Sequence, residues 1–576
     1  MGIQMGEGKD RLAALSPDKI RLFRLLEARK PLEMHPTSNS TEPDEIERRL
    51  TEIWQSVLRI DNIDPRDSYF RLGGDSIKSI QIAARARALG LAVTTPMILQ
   101  NPTIARLAHA LRTERAGADA RRPRRADRNE YALTPAQAGI LFETLAAPAN
   151  ELYRSCLSLR IEGILDVDIL RLAWNRVFVA HPVLRTRFEW KRLEEPRQIV
   201  ESDARCDLIL EQAGEEASIG AALDKFKSHL VDSIPPLDQA PLCRVGVLRA
   251  NARLHFLVLA HHHIILDGWS QQVLLRQLFE TYLGYLDGYE SELTSGPSFA
   301  AFVEHVNAAA APSELWQAYF NGLSTPRYEA IVKKPSTSST IRLEPSAVDT
   351  GRLASIAAGA EVTPAILFQA AVILALAERH ACDDVVFGLV VSGRETSADF
   401  PSATEIVGLC INTLPMRGKI RNADSVSGWW RGLQNNPVLM APHHHTSLGA
   451  VKRMLLRSGT EVAFDTLVVV ENLPTVALDD PRLSINVESF DVTEGWPIVI
   501  VLRSLEPTVI EIKYRTGESF PDIAARLQTL LLCACTAIAE CGGEGTVGHL
   551  RSRLSDLAKH ATRRDIRIDA SRRVPL

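Results

Sequence analysis

Long apolar runs, an export signal and an excess of charge of either sign are missing from this sequence. No window holds about 18 uninterrupted apolar residues, and the N-terminus lacks the basic, apolar and small-residue succession of a secretory signal. We therefore expect a soluble, cytoplasmic protein. The net charge is only −4, which favours neither a nucleic acid nor a membrane surface as partner.

Paired cysteine spacing is also missing, which argues against both a disulfide framework and a cysteine-ligated metal site. The eight cysteines are scattered, mostly within apolar runs, and we expect them to be reduced and buried: Cys156, Cys206, Cys243, Cys382, Cys410, Cys533, Cys535 and Cys541. What the chain does have is length. Its 576 residues, of which 45% are hydrophobic, predict two to four domains with sizeable cores.

The most informative stretch is LHFLVLAHHHIILDGWS, residues 254–270. Its apolar beginning, Leu254 to Ala260, is short and aliphatic and predicts a buried strand that ends in a loop. Ser270 is a candidate N-cap for the helical pattern that follows. The histidines would then lie at a strand end, where an imidazole can act as a base near neutral pH. Surface histidines, or metal ligands beside an ordinary Asp-Gly turn, would give the same pattern.

Four residues of this stretch, His262, His263, Asp267 and Gly268, form the pattern HHxxxDG. It resembles the signature of the condensation domains of nonribosomal peptide synthetases. The resemblance implies that His263 takes the proton of an acceptor amine or holds the amine for attack. It implies that His262 orients the loop, Asp267 anchors it through an arginine, Gly268 lets the backbone approach the thioester oxygen, and Trp269 lines a tunnel.

A separate helical unit precedes this region. Residues 43–111 contain helical patterns at 44–58, 76–89 and 103–111, and FRLGGDSI at 70–77 places two glycines and an aspartate before Ser76. An isolated GGDS is more often a helix cap. The whole unit, however, resembles a peptidyl carrier protein, which implies a four-helix bundle whose Ser76 bears 4'-phosphopantetheine. Asp75 and Leu99 depart from the usual histidine and phenylalanine of such carriers.

The remaining segments separate or flank these units. Residues 1–42 contain a short amphipathic helix pattern and a linker rich in proline, serine and threonine. Residues 112–130 contain seven arginines and almost no large apolar residue, which favours an extended tether over a nucleic-acid arm. Residues 551–576 form a basic tail. The large domain is expected over 131–550, with an N-lobe at about 131–300 and a C-lobe at about 301–550.

Further motifs of the large domain also resemble those of condensation domains. YALTPAQAGILFETL at 131–145 predicts a helix after Thr134-Pro135 close to the site. WNRVFVAHPVLRTRFEW at 174–190 leaves Arg185 as the best partner for Asp267. The match at 406–417 includes Asn412, whose amide either donates a hydrogen bond at the floor of the site or supports a turn. The stretch 464–474 is expected to be a strand crossing to the other lobe. The histidines at 443–445 have no accompanying carboxylates or cysteines, so we expect no metal.

Together these resemblances imply an α+β protein, in which a small four-helix carrier bundle is linked to a two-lobed, chloramphenicol-acetyltransferase-like condensation domain. The implied reaction joins a carrier-bound donor acyl or peptidyl thioester to an acceptor amine, in the synthesis of a nonribosomal peptide or a polyketide-peptide hybrid. The implied partners are a phosphopantetheinyl transferase, a downstream acceptor carrier, and a loading module, upstream or in trans, of the adenylation or polyketide type. No adenylation motif precedes the carrier, which fits either an excised fragment or loading by a separate protein.

Two other functions stay open. An epimerisation domain shares the fold and often follows a GGDS carrier, but its glutamate-containing motif EGHGR is absent, and TEGW at 493–496 is a poor substitute. A non-catalytic scaffold that docks carriers would not need His263 for product formation.

Overall fold

The computed structural model describes the chain from residue 45 to residue 561 with internal gaps. The described ranges are 45–74, 76–114, 129–147, 151–191, 195–214, 218–293, 296–308, 313–323, 338–343, 347–395, 403–436, 443–471, 480–493, 495–503, 509–515 and 520–561. The predicted N-terminal helix and linker, most of the arginine-rich tether and the end of the basic tail lie outside these ranges.

Four helices form the first unit, as predicted: α1 (Glu45–Leu58), α2 (Ser76–Ala88), α3 (Thr95–Gln100) and α4 (Ile104–Glu114). Their apolar faces enclose one small core around Leu50, Trp54 and Tyr69, which are fully buried. The resemblance implied a fourth helix, but the short α3 has no strong helical periodicity, so its position was not predicted. It is capped by Thr94, whose side chain accepts a hydrogen bond from the Met97 amide.

The second unit begins with elements that build the N-lobe. They are β1 (Glu130–Ala132), α5 (Pro135–Ala146), β2 (Arg154–Gly163), α6 (Val167–Ala180), β3 (Thr186–Glu189), β4 (Arg197–Val200), β5 (Leu208–Gln212), α7 (Ile219–Asp232), β6 (Cys243–Arg249), β7 (Leu254–His262), α8 (Gly268–Leu286) and α9 (Phe299–Ala308). Strands β1, β4 and β3 form a small separate sheet.

The C-lobe follows. Its elements are α10 (Ser313–Phe320), β8 (Ser338–Leu343), α11 (Ala347–Ala360), α12 (Pro364–His380), β9 (Asp384–Ser392), β10 (Ile411–Lys419), α13 (Val426–Gln434), α14 (Leu448–Arg457), β11 (Thr466–Glu471), β12 (Leu483–Val492), β13 (Ile498–Arg503), β14 (Val509–Arg515), α15 (Phe520–Cys541) and α16 (Val547–Ala561). Its six-stranded sheet has the order β10-β9-β11-β13-β14-β8.

One strand crosses between the lobes, and it is not the predicted one. The N-lobe sheet has the order β12-β2-β7-β6-β5, so β12 leaves the C-lobe and pairs antiparallel with β2. The stretch 464–474 was expected to cross, but β11 within it lies inside the C-lobe sheet, parallel to β9 and β13. That prediction is wrong. The lobe boundary near residue 300 is also approximate, because α9 and residues 403–410 pack in the N-lobe core.

Helix α15 is long and apolar enough to span a membrane by length and composition, and so are α11 and α12 if taken as one bent pair. In the structure α15 packs against α12 and α16. Its inward-facing residues belong to the C-lobe core, together with nearly all of α12. Both are therefore core helices of the C-lobe in this structure.

Candidate functional site

The histidine stretch forms the strand, turn and helix that its pattern predicts. Strand β7 continues two residues beyond the predicted Ala260 and ends at His262, so His263 lies in the turn. Helix α8 begins at Gly268, and its N-cap is Asp267 rather than the predicted Ser270. The Asp267 carboxylate accepts a hydrogen bond from the Ser270 amide at 2.8 Å. A carboxylate caps a helix more strongly than a hydroxyl that lies inside the first turn.

Two hydrogen bonds fix His263. Its backbone N–H donates to the Tyr153 carbonyl at 2.7 Å. Its ring Nδ1 lies 2.5 Å from the Leu266 carbonyl oxygen. A carbonyl oxygen can only accept, so Nδ1 carries a hydrogen, and in the neutral ring Nε2 is the nitrogen with the lone pair. The half-buried ring lines a large cavity, which makes Nε2 the basic atom available there.

The other two histidines of the run are buried and neutral. Burial is the main cause that lowers the pKa of His261 and that of His262 to about 3 each, and the charge of His263 is the second cause for both. The Nδ1 atom of His262 accepts a hydrogen bond from the Ile264 amide at 3.2 Å. This position, inside the turn and away from the cavity lining, fits the predicted orienting role of His262.

Asp267 anchors the turn through Arg394, not through Arg185. The Arg394 guanidinium donates to both carboxylate oxygens, at 2.6 and 2.9 Å, and both side chains are fully buried. Burial raises the pKa of Asp267, but Arg394 and the hydrogen bonds outweigh it and hold that pKa below its ordinary value. The Cys410 amide also donates to the carboxylate, at 2.8 Å.

The predicted pairing with Arg185 is wrong. Arg185 closes a short 3-10 turn after α6, and its guanidinium donates to the Val179 carbonyl at 3.2 Å on the exposed side. The residue that the sequence interpretation missed lies at the end of β9, in the run Ser392-Gly393-Arg394. A charged residue directly after a buried strand was the available signal, but nothing in the sequence brings that strand end to the other lobe.

Helix α5 lies beside the histidine turn, as its motif predicts. Thr134 and Gln137 form a reciprocal capping box at its start. The buried Gln137 amide also donates to the Ile264 carbonyl at 3.1 Å. The helix start is thereby hydrogen-bonded directly to the turn that holds His263.

Trp269 and Asn412 line the same cavity. The Trp269 indole N–H donates to the Thr404 carbonyl at 2.7 Å, which holds the ring in place. The Asn412 amide donates to the carbonyls of His444 and Thr446 at 2.7 and 2.8 Å. Of the two roles left open for Asn412, these contacts favour support of a turn.

The histidine cluster 443–445 is likewise part of this turn. Burial is the main cause that lowers the pKa of His445 to about 3. Among the residues described here, no three His, Cys, Asp or Glu side chains are arranged to hold a metal ion.

The cavity measures about 1080 Å³ and lies between the lobes. Helix α5, the histidine turn and Trp269 form its N-lobe side, and β9, β11 and α14 form much of its C-lobe side. Thr95 and Leu99 of the first unit also contribute to the lining. Its volume is at the upper end of the range of about 300–1,000 Å³ that is usual for small-molecule sites.

Ser76 opens helix α2, as the carrier resemblance implies, although the placement of its side chain lies outside the described part of the structure. Gly73, at φ +74°, faces open space where a Cβ would point, whereas a Cβ on Gly74 would clash with the Tyr69 ring. Both positions therefore favour glycine, and the backbone at Gly73 faces open space.

Comparison with known proteins agrees with this architecture. Residues 127–503 match the family described as "Condensation domain", and residues 48–111 match "Phosphopantetheine attachment site". Chondramide synthase cmdD of Chondromyces crocatus is 31% identical over 362 residues, which are 61% of this chain and 9% of that protein. One protein of the linear gramicidin synthase of Brevibacillus parabrevis is 30% identical over 422 residues, 69% of this chain and 5% of that protein. The chain thus spans less than a tenth of either relative.

Solved structures share the fold. The starter condensation domain of rhizomide synthetase, crystallised with C8-CoA, has a TM-score of 0.61 at 19% identity and covers 72% of this chain and 96% of its own. The condensation domain of the monacolin K polyketide synthase MokA has a TM-score of 0.60 at 15% identity, with coverages of 72% and 98%. These likenesses confirm the predicted two-lobed fold.

Proposed function

Because the chain belongs to the condensation domain family and carries a phosphopantetheine attachment domain, we propose that it forms an amide bond between a carrier-bound acyl thioester and an acceptor amine. The observation that carries this proposal is the state of His263. Its Nδ1–H donates to the Leu266 carbonyl, so that in the neutral ring Nε2 can accept a proton, and the ring lines a cavity of about 1080 Å³.

The first unit fits the prosthetic group that its family implies. When bound at Ser76, 4'-phosphopantetheine supplies a flexible thiol that holds the acyl group as a thioester. The open backbone at Gly73 and the presence of Thr95 and Leu99 in the cavity lining support delivery of the donor by the chain's own carrier.

His263 is the residue that contacts the acceptor amine. As the amine nitrogen forms its bond to the acyl carbon and the carbon–sulfur bond breaks, Nε2 takes the amine proton or holds the amine in line. An α-amino group titrates at about 8, so a substantial fraction is already neutral at working pH. Positioning of the amine therefore contributes alongside base strength. Gly268, at the start of α8, lines the same cavity as His263 and presents backbone rather than a side chain there.

Amide formation is favoured over epimerisation by the residues near His263. The epimerisation motif EGHGR is replaced by TEGW, and Gly495 of this run packs against Tyr153 and Glu143. Incubation of the acyl-loaded protein in D₂O distinguishes the two reactions, because an epimerase exchanges the α-hydrogen of the donor without an acceptor.

The test uses protein whose Ser76 has been loaded by a phosphopantetheinyl transferase from acyl-coenzyme A. We expect transfer of the acyl group to a carrier-bound or free amine, observed by mass spectrometry, and loss of transfer in His263→Ala. Ser76→Ala should prevent loading. Undiminished product in His263→Ala would refute catalysis at this histidine and favour a carrier-docking scaffold.

The wider setting follows from the same proposal. A loading module of the adenylation or polyketide type supplies the acyl group, a downstream carrier presents the amine, and the reaction takes place in the cytoplasm.

A further inference from the structure

One wall of the cavity contains charged side chains close to His263 that the proposed reaction does not use. Tyr153 accepts the backbone N–H of His263, and its hydroxyl donates to the Glu143 carboxylate on α5. The carboxylate therefore lies about one tyrosine side chain away from the histidine turn. A Cβ on Gly495 would lie 2.6 Å from this carboxylate, so only glycine fits behind the pair.

Cations outnumber the carboxylate on this wall. Lys452 of α14 and Lys513 of β14 line the cavity. Arg515, two residues further along the same face of β14, donates to the Gly495 carbonyl at 2.5 Å. Lys452 and Arg515 lie close enough to Glu143 for its charge to act on them, and Lys513 lines the same cavity.

A second carboxylate in the cavity lining, that of Glu471, is already occupied. The Arg503 guanidinium lies 3.5 Å from it, and both side chains are largely buried. Glu143 is the other carboxylate of the described lining, and it acts on Lys452 and Arg515.

Within the described ranges, no carboxylate is bound to these cations. The Lys452 ammonium lies 4.9 Å from the centre of the Phe464 ring, which stacks on Trp496 at 5.1 Å. In that part of the chain, Lys452, Lys513 and Arg515 take part in no ion pair. Aromatic faces attract a cation but do not neutralise it.

Their environment favours an added anion. Burial lowers the pKa of Lys452, and Glu143 offsets this only in part; burial also lowers the pKa of Arg515, which Glu143 and Tyr153 partly compensate. A half-buried cation without a counter-ion is costly, and an anion that enters the cavity relieves that cost.

We propose that Lys452, Lys513 and Arg515 form a subsite for a carboxylate on the substrate group held at His263. The ligand is the side chain of an acidic aminoacyl group, or the free end of a dicarboxylic acyl group. This inference rests on the proposed condensation function and adds its substrate class. The phosphate of a pantetheine arm lies a full arm's length from the reacting sulfur, whereas this wall is one tyrosine side chain from the histidine turn.

The experiment compares matched acidic and amide substrates in the full-length holo-protein. In one arm, Ser76 carries a fixed acyl donor and the acceptors are glutamyl and glutaminyl thioesters of N-acetylcysteamine. In the other arm, the acceptor is fixed and the donor is succinyl or succinamoyl. We expect the acid to exceed its amide in kcat/KM by about tenfold or more in one arm, as one charge-assisted hydrogen bond provides.

Variants of Lys452 test the assignment. Lys452→Met should reduce the acid-to-amide ratio about tenfold, Lys452→Arg should retain it, and Glu143→Gln should raise it by removing a like charge. Arg457→Met, an exposed cation on the same helix that does not line the cavity, should leave the ratio unchanged.

Measurements of Kd test the carboxylate subsite independently of turnover. In the arm that shows the preference in turnover, the non-reactive analogues should show the same ratio in Kd: the glutamyl and glutaminyl amides of cysteamine for the acceptor, or its succinyl and succinamoyl amides for the donor. A protein that binds the acidic analogue selectively but forms no product refutes the condensation function and not the subsite. Equal Kd values in both pairs, or a preference for the neutral or a cationic analogue, would overturn the subsite. An effect of Lys452→Met confined to carrier-bound acceptors of every kind would assign the lysine to the arm's phosphate and overturn it too.

Discussion

Arg394→Met is the substitution that most directly tests how the histidine turn is held. In the structure Arg394 makes two charge-assisted hydrogen bonds to Asp267 across the two lobes, and neither side chain is exposed. Methionine has a similar length but no charge, so the change leaves the Asp267 carboxylate buried without its cation. Only the Ser270 and Cys410 donors remain.

The expected loss follows from that burial. Removing one partner of a fully buried ion pair lowers the free energy of unfolding by about 3–5 kcal/mol. Replacing both partners, as Arg394→Met with Asp267→Leu, removes the stranded charge. The double variant should then lose mainly the helix cap of α8, about 1 kcal/mol. With Asp267→Leu alone as the remaining corner, the double-mutant cycle isolates the coupling between the two side chains.

Urea unfolding monitored by tryptophan fluorescence measures these free energies, and hydrogen exchange of peptides that span the histidine turn locates them. Arg185→Met is the matched control, because the Arg185 guanidinium donates to the Val179 carbonyl and not to a carboxylate; its effect should stay within about 0.5 kcal/mol. If Arg185→Met destabilises the protein as much as Arg394→Met, or if Arg394→Met changes neither measurement, the assignment of the anchor is refuted.

Three further changes probe the surroundings. His261 has a pKa of about 3 in the folded protein and about 6.5 when unfolded, so between these pH values the unfolded state binds more protons. The free energy of unfolding should therefore fall as the pH falls, by about 1.4 kcal/mol per pH unit from this group. His261→Gln should reduce that slope in unfolding measured from pH 7 to 4, and an unchanged slope would contradict the burial of His261. Gly408→Ala would drive a Cβ into the Phe299 ring and should lower the free energy of unfolding. Gly432→Ala, which meets nothing within 4 Å in α13, should raise that free energy by up to about 1 kcal/mol. Asn412→Ala leaves two carbonyls of the 443–446 turn without their donor and should increase hydrogen exchange there, while protection of β10 itself stays unchanged.

The strand, turn and helix of the site could be predicted because their signals are local. An aliphatic run, an Asp-Gly step and a helical repeat each determine structure within a few residues, and the structure departs from the prediction only in the cap of α8 and in the last two residues of β7. The partner of Asp267 could not be predicted from local signals. Arg394 lies 127 residues away in the sequence, and its choice over Arg185 depends on how the two lobes meet.

The residue patterns of β11 and β12 differ, and the sequence interpretation did not use this difference to choose the crossing strand. The continuous apolar run in β11 is typical of a central, mostly parallel strand covered on both faces. The alternation in LSINVESFDV, residues 483–492, is typical of an antiparallel strand with one face exposed. Strand β12 has that pattern and lies at the edge of the N-lobe sheet. Periodicity therefore favoured β12 as the strand that leaves the C-lobe.

These contacts separate the positioning of His263 from the choice of substrate. The ring is oriented from within its own turn by Leu266, the main chain is held by Tyr153, and the turn is tied to the C-lobe through Arg394. Lys452 contributes to none of these bonds. Substitution at Arg394 should therefore lower stability and the turnover of acidic and amide substrates alike, whereas substitution at Lys452 should change their ratio and leave the unfolding midpoint nearly constant. A protein in which both substitutions changed both measurements equally would show that the turn and the cationic wall behave as one structural unit.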